Sequence, residues 1–493
     1  MIAPTVIESF VSASNDHPRK VAIYWGPGRI TYAQLHKCVL AYASLFHARA
    51  EVRAGDRVGI LLKNSPEFIY ALYGALSLGA TVVPINNFLK APEIQHILDD
   101  CGVKCLLSAT DFDDVLGKLR TPRVLRTADA PALPATSPPQ LPAIAPSDLA
   151  VIIYTSGTTG RPKGAMLTHD NIASNVRSCV EALEETAGDR MALLLPMFHS
   201  FMLTVCIFTP LSMGAGIVLI KSVHPFKAAL KEMIQHRATI FCGIPQIFQA
   251  LAQSKIPFWV HWLLRLRMVI SGAAPLPRET LDQFSRKFRF PLLEGYGLSE
   301  ASPVVSFNPY RGVRKAGSVG LPVPGVEVKI LDDNGEEMPA EQVGEIVVRG
   351  ANVMRGYFNH PDETAATLRH GWLHTGDMGK KDADGYIYIV DRRKEMLLVR
   401  GLNVYPREIE EVLYKIPGVR EAAVVAQADE KRGEIPVAFV SATEGSSLQP
   451  AELLRFCREN LADYKVPREI RLMDNLPRTA TGKVAKLELK RLL

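Results

Sequence analysis

Cysteine is sparse here and shows no pairing pattern. There are seven, at positions 38, 101, 105, 179, 206, 242 and 457, and Cys101 and Cys105 are the only close pair. An odd, scattered set with no Cys/His partner at metal spacing excludes a disulfide framework and a zinc cluster, and fits buried free thiols in a reducing compartment. The first residues, "MIAPTVIESF", lack a basic stretch leading into an apolar core, so no signal peptide is evident and a cytoplasmic protein is expected. Charge of one sign is also lacking. The formal net charge of +6 is mild for 493 residues, and Lys and Arg are mixed with Asp and Glu. Nucleic acid is therefore not an expected partner, whereas a substrate carrying several phosphates would suit this surface. Met191–Ile220 has no charged residue and is long enough to span a membrane. Pro196, Pro210 and several Gly and Ser interrupt it, so a helix entering a buried strand is expected instead, with loose peripheral membrane attachment as the most the chain supports.

The length implies two or more domains. The first third alternates strand and helix: "KVAIYW", a helix from Tyr32 capped by Thr31, "DRVGILL", "SPEFIYALYGALSLG", "ATVVPIN", "APEIQHILDDCG" and "VKCLLSA". That rhythm predicts a parallel sheet covered by helices. Six prolines between Pro131 and Pro146 mark a loop, and the alternation resumes from about 170 to 300. Short strands and turns over 316–391 predict a small β-rich subdomain. The last hundred residues read as a compact α+β unit.

The chemistry begins at "YTSGTTGRPKG", 154–164, where a predicted strand runs into a loop of Ser, Thr and Gly beside Lys163. Glycines let backbone N–H groups approach an anion, and a lysine supplies the counter-charge. The spacing is not G-x-x-x-x-G-K-[ST], since Pro162 and Gly164 occupy the required positions. Taken alone, the loop binds phosphate in an unspecified way or is a polar turn. Further polar, glycine-bearing stretches are "ISGAAPLP" (270–277), "LLEGYGLSEASPVV" (292–305), "HTGDMG" (374–379), "DRRKEMLLVRGLNVYPREIE" (391–410) and "NLPRTATGKVAK" (475–486).

In this order the motifs closely resemble the adenylate-forming superfamily of acyl-CoA synthetases, luciferase and peptide-synthetase adenylation domains, over essentially the whole chain. The resemblance implies an α/β fold. A large N-terminal domain of helix-covered sheets with a β-rich subdomain (1–391) would be joined to a small, mobile α+β domain (392–493). It also implies ATP, Mg²⁺ and coenzyme A, with a carboxylic acid activated as acyl-AMP and then passed to a thiol.

Carried over by residue, Thr155, Ser156, Gly157, Thr158, Thr159, Gly160 and Lys163 would wrap the outer phosphates of ATP. Glu300 would hold Mg²⁺, and Ser299, where the family usually has Thr, would contact the AMP phosphate. Tyr296 and Gly297 would lie against adenine, with Gly272, Ala273 and Ala274 on the other side. Asp377 would bind the ribose hydroxyls, with Arg392 beside ribose and phosphate. Lys394 would be the hinge, Gly401 would line the thiol channel, and Lys483 would bridge the carboxylate and α-phosphate. His199, which could equally be a core histidine, becomes a wall of the acyl pocket. Arg400, before Gly401, stands where fatty-acyl members usually carry a small residue.

The nearest branch in appearance is the fatty-acyl-CoA ligases, and Phe198, Phe201, Met202, Val205, Cys206, Val304 and Val305 supply an apolar, uncharged wall. A medium- or long-chain fatty acid is expected, with an aryl acid as runner-up. A carrier protein is the alternative acceptor, and the enzyme would be a monomer or homodimer. A non-catalytic nucleotide binder is disfavoured by the presence of Glu300, Asp377, Arg392 and Lys483. The segment "KIPFWVHWLLRLRMV" (255–269) reads as a core helix with arginines reaching to solvent, or as an interfacial helix.

Overall fold

A computed structural model describes residues 2–120, 123–130, 140–222, 225–254, 263–400, 402–429, 433–478 and 483–493, except 157–161. It is a mixed α/β protein whose N-terminal part holds two large sheets. In the first, the strands Arg57–Leu61, Thr81–Pro84, Cys105–Ser108 and Arg123–Arg126 are parallel, as the alternation predicted. The first three are buried almost throughout, which explains their unbroken apolar runs. The helix Pro66–Ser77 is buried on nearly every face because it is enclosed between layers. By contrast, the helix Tyr32–Ala50 has one wet face. It starts at the expected residue: Thr31 Oγ1 accepts the Gln34 N–H at 3.3 Å, and Gln34 Oε1 accepts the Thr31 N–H at 2.9 Å.

One local reading changes on folding. The first strand, Val21–Trp25, does not join the parallel sheet formed by the strands that follow Tyr32–Ala50. It pairs antiparallel with Gly28–Thr31, and parallel with the distant strand Gly216–Leu219 in the second, nine-stranded sheet. The strand before the hydroxyl-rich loop extends to Ser156 and is followed by Pro162–Thr168, antiparallel to it. The two strands thus form a hairpin on either side of the loop.

Met191–Ile220 resolves into a strand at Arg190–Leu193, a helix with a wide, π-type segment at Met202–Phe208, and the buried strand Gly216–Leu219. Among the described residues, no helix is long and apolar enough to cross a membrane. The strands Val326–Leu331, Gly344–Gly350, Leu368–Arg369, Trp372–Lys381 and Ile387–Arg392 form an antiparallel sheet, the expected β-rich subdomain. Beyond it, the strands Leu397–Val399, Leu402–Val404, Val419–Asp429, Gly433–Ala442 and Glu469–Leu472 form a fourth sheet. That sheet has its own core around Ile409, Leu413, Val424, Val440 and Leu453. All seven cysteines are free, and six are buried. Of the segment 255–269, residues 255–262 lie outside the described residues; beyond them the chain leaves the expected helix, Arg267 turns inward to pair with Asp189 Oδ1 at 2.8 Å, and Met268 begins a strand.

Candidate active site

The candidate residues converge at the carboxyl ends of the parallel strands Met268–Ser271 and Leu292–Gly297, the edge where open α/β sheets bind ligands. Beyond the first strand, Gly272 passes so close to Phe201 that a Cβ would lie 3.2 Å from its ring, and Ala273 adopts φ +66°. Beyond the second, a Cβ on Gly297 would sit 2.2 Å from the carbonyl oxygen of Pro303. At both positions the missing side chain lets the strand end pack closely against its neighbours beneath the site.

Asp377 and Arg392 face each other on the paired strands Trp372–Lys381 and Ile387–Arg392. Asp377 is buried, and both its oxygens are engaged: Arg392 Nε approaches Oδ1 at 2.9 Å, and the Tyr296 hydroxyl donates to Oδ2 at 2.5 Å. Burial, with the Asp377 carboxylate adding to it, pushes the Tyr296 phenol far above its ordinary range, so it is a donor at any working pH. Ser299 and Ser200 share a hydrogen bond at 3.1 Å between their hydroxyls.

Glu300 Oε1 accepts from the Tyr357 hydroxyl at 2.9 Å and from Thr155 Oγ1 at 3.3 Å. Lys163, on the strand after the hairpin turn, lies 5.7 Å from the centre of the Tyr357 ring and forms an ion pair with Glu363 Oε1 at 3.2 Å. Among the described residues, no cluster of three His, Cys, Asp or Glu could hold a metal. Glu300 beside Thr155 nevertheless fits Mg²⁺, which usually takes one or two carboxylates and completes its shell with phosphates and water.

His199 Nδ1 accepts the Phe201 N–H at 3.3 Å, which leaves the proton of the neutral ring on Nε2. The ring keeps an accessible edge, yet enclosure by protein and then the Lys483 ammonium lower its pKa to about 4. Lys483 arrives from the far end of the chain. Burial of its ammonium and the neighbouring Arg392 hold its pKa below the ordinary lysine value, against the pull of Asp377, Glu395 and Glu300. The residue as a whole keeps more than a third of its surface exposed. Lys394 is lowered by burial and then by Arg392.

Lys483, His199, Glu300, Asp377, Arg392, Tyr296 and Ser299 are thus brought to one place, with Lys163 at its flank. Gly157, Thr158, Thr159, Gly160, Gly401 and the side chain of Ser156 lie outside the described residues. Tyr357 and Glu363 were not singled out from the sequence. "RGYFNHPDE" has no dense polar–glycine pattern, and only the pairing of Tyr357 with Ala165 puts it beside the hairpin.

The sequence matches the AMP-binding enzyme family over residues 10–358, and the C-terminal domain of those enzymes over residues 408–483. It is 39% identical over 481 residues to a feruloyl-CoA synthase of an Amycolatopsis species, covering 96% of both chains. It is 34% identical to a long-chain-fatty-acid–CoA ligase of Bacillus subtilis, covering 96% of this chain and 91% of that one. The fold superposes on ATP-bound MatB from Rhodopseudomonas palustris with a TM-score of 0.92 at 32% identity, over 99% and 98% of the two chains.

Proposed function

The chain belongs to the AMP-binding, adenylate-forming enzymes, and from that premise we propose that it couples ATP cleavage to thioester formation from an apolar monocarboxylic acid. A carboxylate oxygen attacks the α-phosphorus of ATP, the bond to the β-phosphate breaks, and pyrophosphate leaves. The thiol of coenzyme A then attacks the acyl carbon of the acyl-AMP and expels AMP. A carrier protein is the alternative acceptor.

The reading is supported above all by the meeting of Lys483 with His199, Glu300, Asp377 and Arg392. In this reading Lys483 spans the acid and the α-phosphate, where two negative groups must approach, and stabilises the charge between them. Neutral His199 adds no charge of its own to the acyl wall. Asp377, held by Tyr296 and Arg392, presents its remaining lone pairs to the ribose. Tyr296 and the Gly272–Ala274 turn enclose the adenine, and Ser299 donates to the α-phosphate. Thr155 and Lys163 face the outer phosphates. Mg²⁺ held by Glu300 would supply charge neutralisation to those phosphates. We place the domain division at 391/392, with Lys394 as the pivot.

For the acid, the buried wall of Met202, Val205, Cys206, Val304 and Val305 has no titratable carboxylate or amine, which supports a medium- or long-chain fatty acid. An aryl acid is the second reading. It is favoured by the 39% identity to a feruloyl-CoA synthase, and by Ser302 Oγ, buried next to this wall with no partner among the described residues. A buried hydroxyl of that kind would suit a phenolic substituent. AMP release measured with and without coenzyme A, over fatty and aromatic acids, tests the proposal. No AMP with any acid would refute it.

A further inference from the structure

The partner of Lys163 is a residue that this reaction scheme leaves without a role. Glu363 sits in the first turn of the helix Pro361–Thr367, with its Oε1 3.2 Å from Lys163 Nζ. Its Oε2 is 3.5 Å from His360 Nδ1, and His360 Nε2 is 3.6 Å from Asp100 Oδ1. Lys163 is paired in register with Thr155, so the two residues flank the hydroxyl-rich turn. The ring of Tyr357 lies beside the ammonium, and its hydroxyl is bonded to Glu300.

The two members of the ion pair are unequally placed. Lys163 is buried, with 8% of its surface exposed, whereas the Glu363 side chain is 36% exposed. A buried ammonium cannot be left without a counter-charge except at high cost, while a carboxylate open to water loses its partner cheaply. We propose that Glu363 is the resting counter-ion of Lys163, given up when the outer phosphates of ATP arrive and regained when pyrophosphate leaves, with the Tyr357 ring as the surface along which the ammonium moves. The proposal rests on the ATP-dependent reading above. Glu363 therefore competes with phosphate for one cation, and it sets how tightly ATP and pyrophosphate are held without touching either.

The test is steady-state kinetics of Glu363→Gln and Glu363→Asp beside the wild type. Glu363→Gln removes a partly exposed ion pair and with it the competitor, so it is expected to lower the KM for ATP by about 2- to 5-fold. The inhibition constant of pyrophosphate should fall by the same factor, with kcat unchanged or reduced. Glu363→Asp keeps the charge and should return both constants toward wild type. A merely structural role at the helix N-terminus predicts the opposite sign: a lower melting temperature with KM for ATP unchanged or raised. That result, in a series where the wild type does release AMP, overturns the exchange alone. Wild type that releases no AMP with any acid overturns the parent reading as well.

Discussion

Tyr296 and Asp377, 81 residues apart, are joined by a hydrogen bond of 2.5 Å from the phenol to Oδ2. Tyr296 lies near the end of a strand of the nine-stranded sheet, and Asp377 lies in the antiparallel subdomain, so this bond ties two sheets together, and with them the two residues proposed to face adenine and ribose. Arg392 holds the other oxygen. The carboxylate is thereby fixed before substrate arrives.

Tyr296→Phe keeps the ring and removes only the donor. Hydrogen bonds to a charged group contribute about 1.5–3 kcal/mol, so kcat/KM for ATP is expected to fall by at least about 10-fold, mainly through KM. An unchanged KM for ATP would show the bond to be incidental to nucleotide binding.

Lys483→Ala should lose acyl-AMP formation by about 10²–10³-fold, the usual effect of deleting one charge-stabilising donor. Supplied with ready-made acyl-AMP and coenzyme A, the same variant should form thioester at nearly the wild-type rate, because that step would use another face of the C-terminal unit after rotation about Lys394. Equal losses in both assays would remove support for two arrangements of the enzyme. A thermal melt separates either result from unfolding.

If the acid is a fatty acid, activity should rise steeply from acetate to octanoate, since each buried CH₂ contributes roughly 0.8 kcal/mol of transfer free energy. A maximum at ferulate or benzoate would select the aryl reading. Ser302→Ala should then weaken phenolic acids more than unsubstituted ones.

Glu185 is buried, and neither carboxylate oxygen has a partner among the described residues. Burial, then Asp189, raise its pKa to about 8 against the opposing pull of Arg267. Folded protein therefore holds this proton where the unfolded chain has released it. The stability it contributes is complete below the ordinary carboxyl value and is lost as pH rises through 8. Between pH 7 and 9 wild type should lose about 1 kcal/mol more stability than Glu185→Gln. Melting curves that stay parallel across that range would refute it.

The alternation of strands and helices was legible because parallel strands covered on both faces must be apolar throughout, and their helices must be capped in sequence, as Thr31 and Gln34 cap Tyr32–Ala50. The residues that meet at the candidate site were named through the resemblance of their stretches to the family's motifs, to which glycine beside hydroxyl or charge first drew notice. Sequence by itself therefore determined the fold class and the residues from which a site could be built.

Only the tertiary structure decided which of them meet. Val21–Trp25 crosses to a strand nearly two hundred residues away because strand pairing is set by exposed edges, which have no local code. For the same reason Tyr357 and Glu363, in a stretch with no motif, become the partners of Glu300 and Lys163, since only long-range register brings them alongside the hairpin. The neutral state of His199 was equally hidden. It depends on burial and on an ammonium 284 positions away, Lys483, and charge interactions follow distance in space and not along the chain.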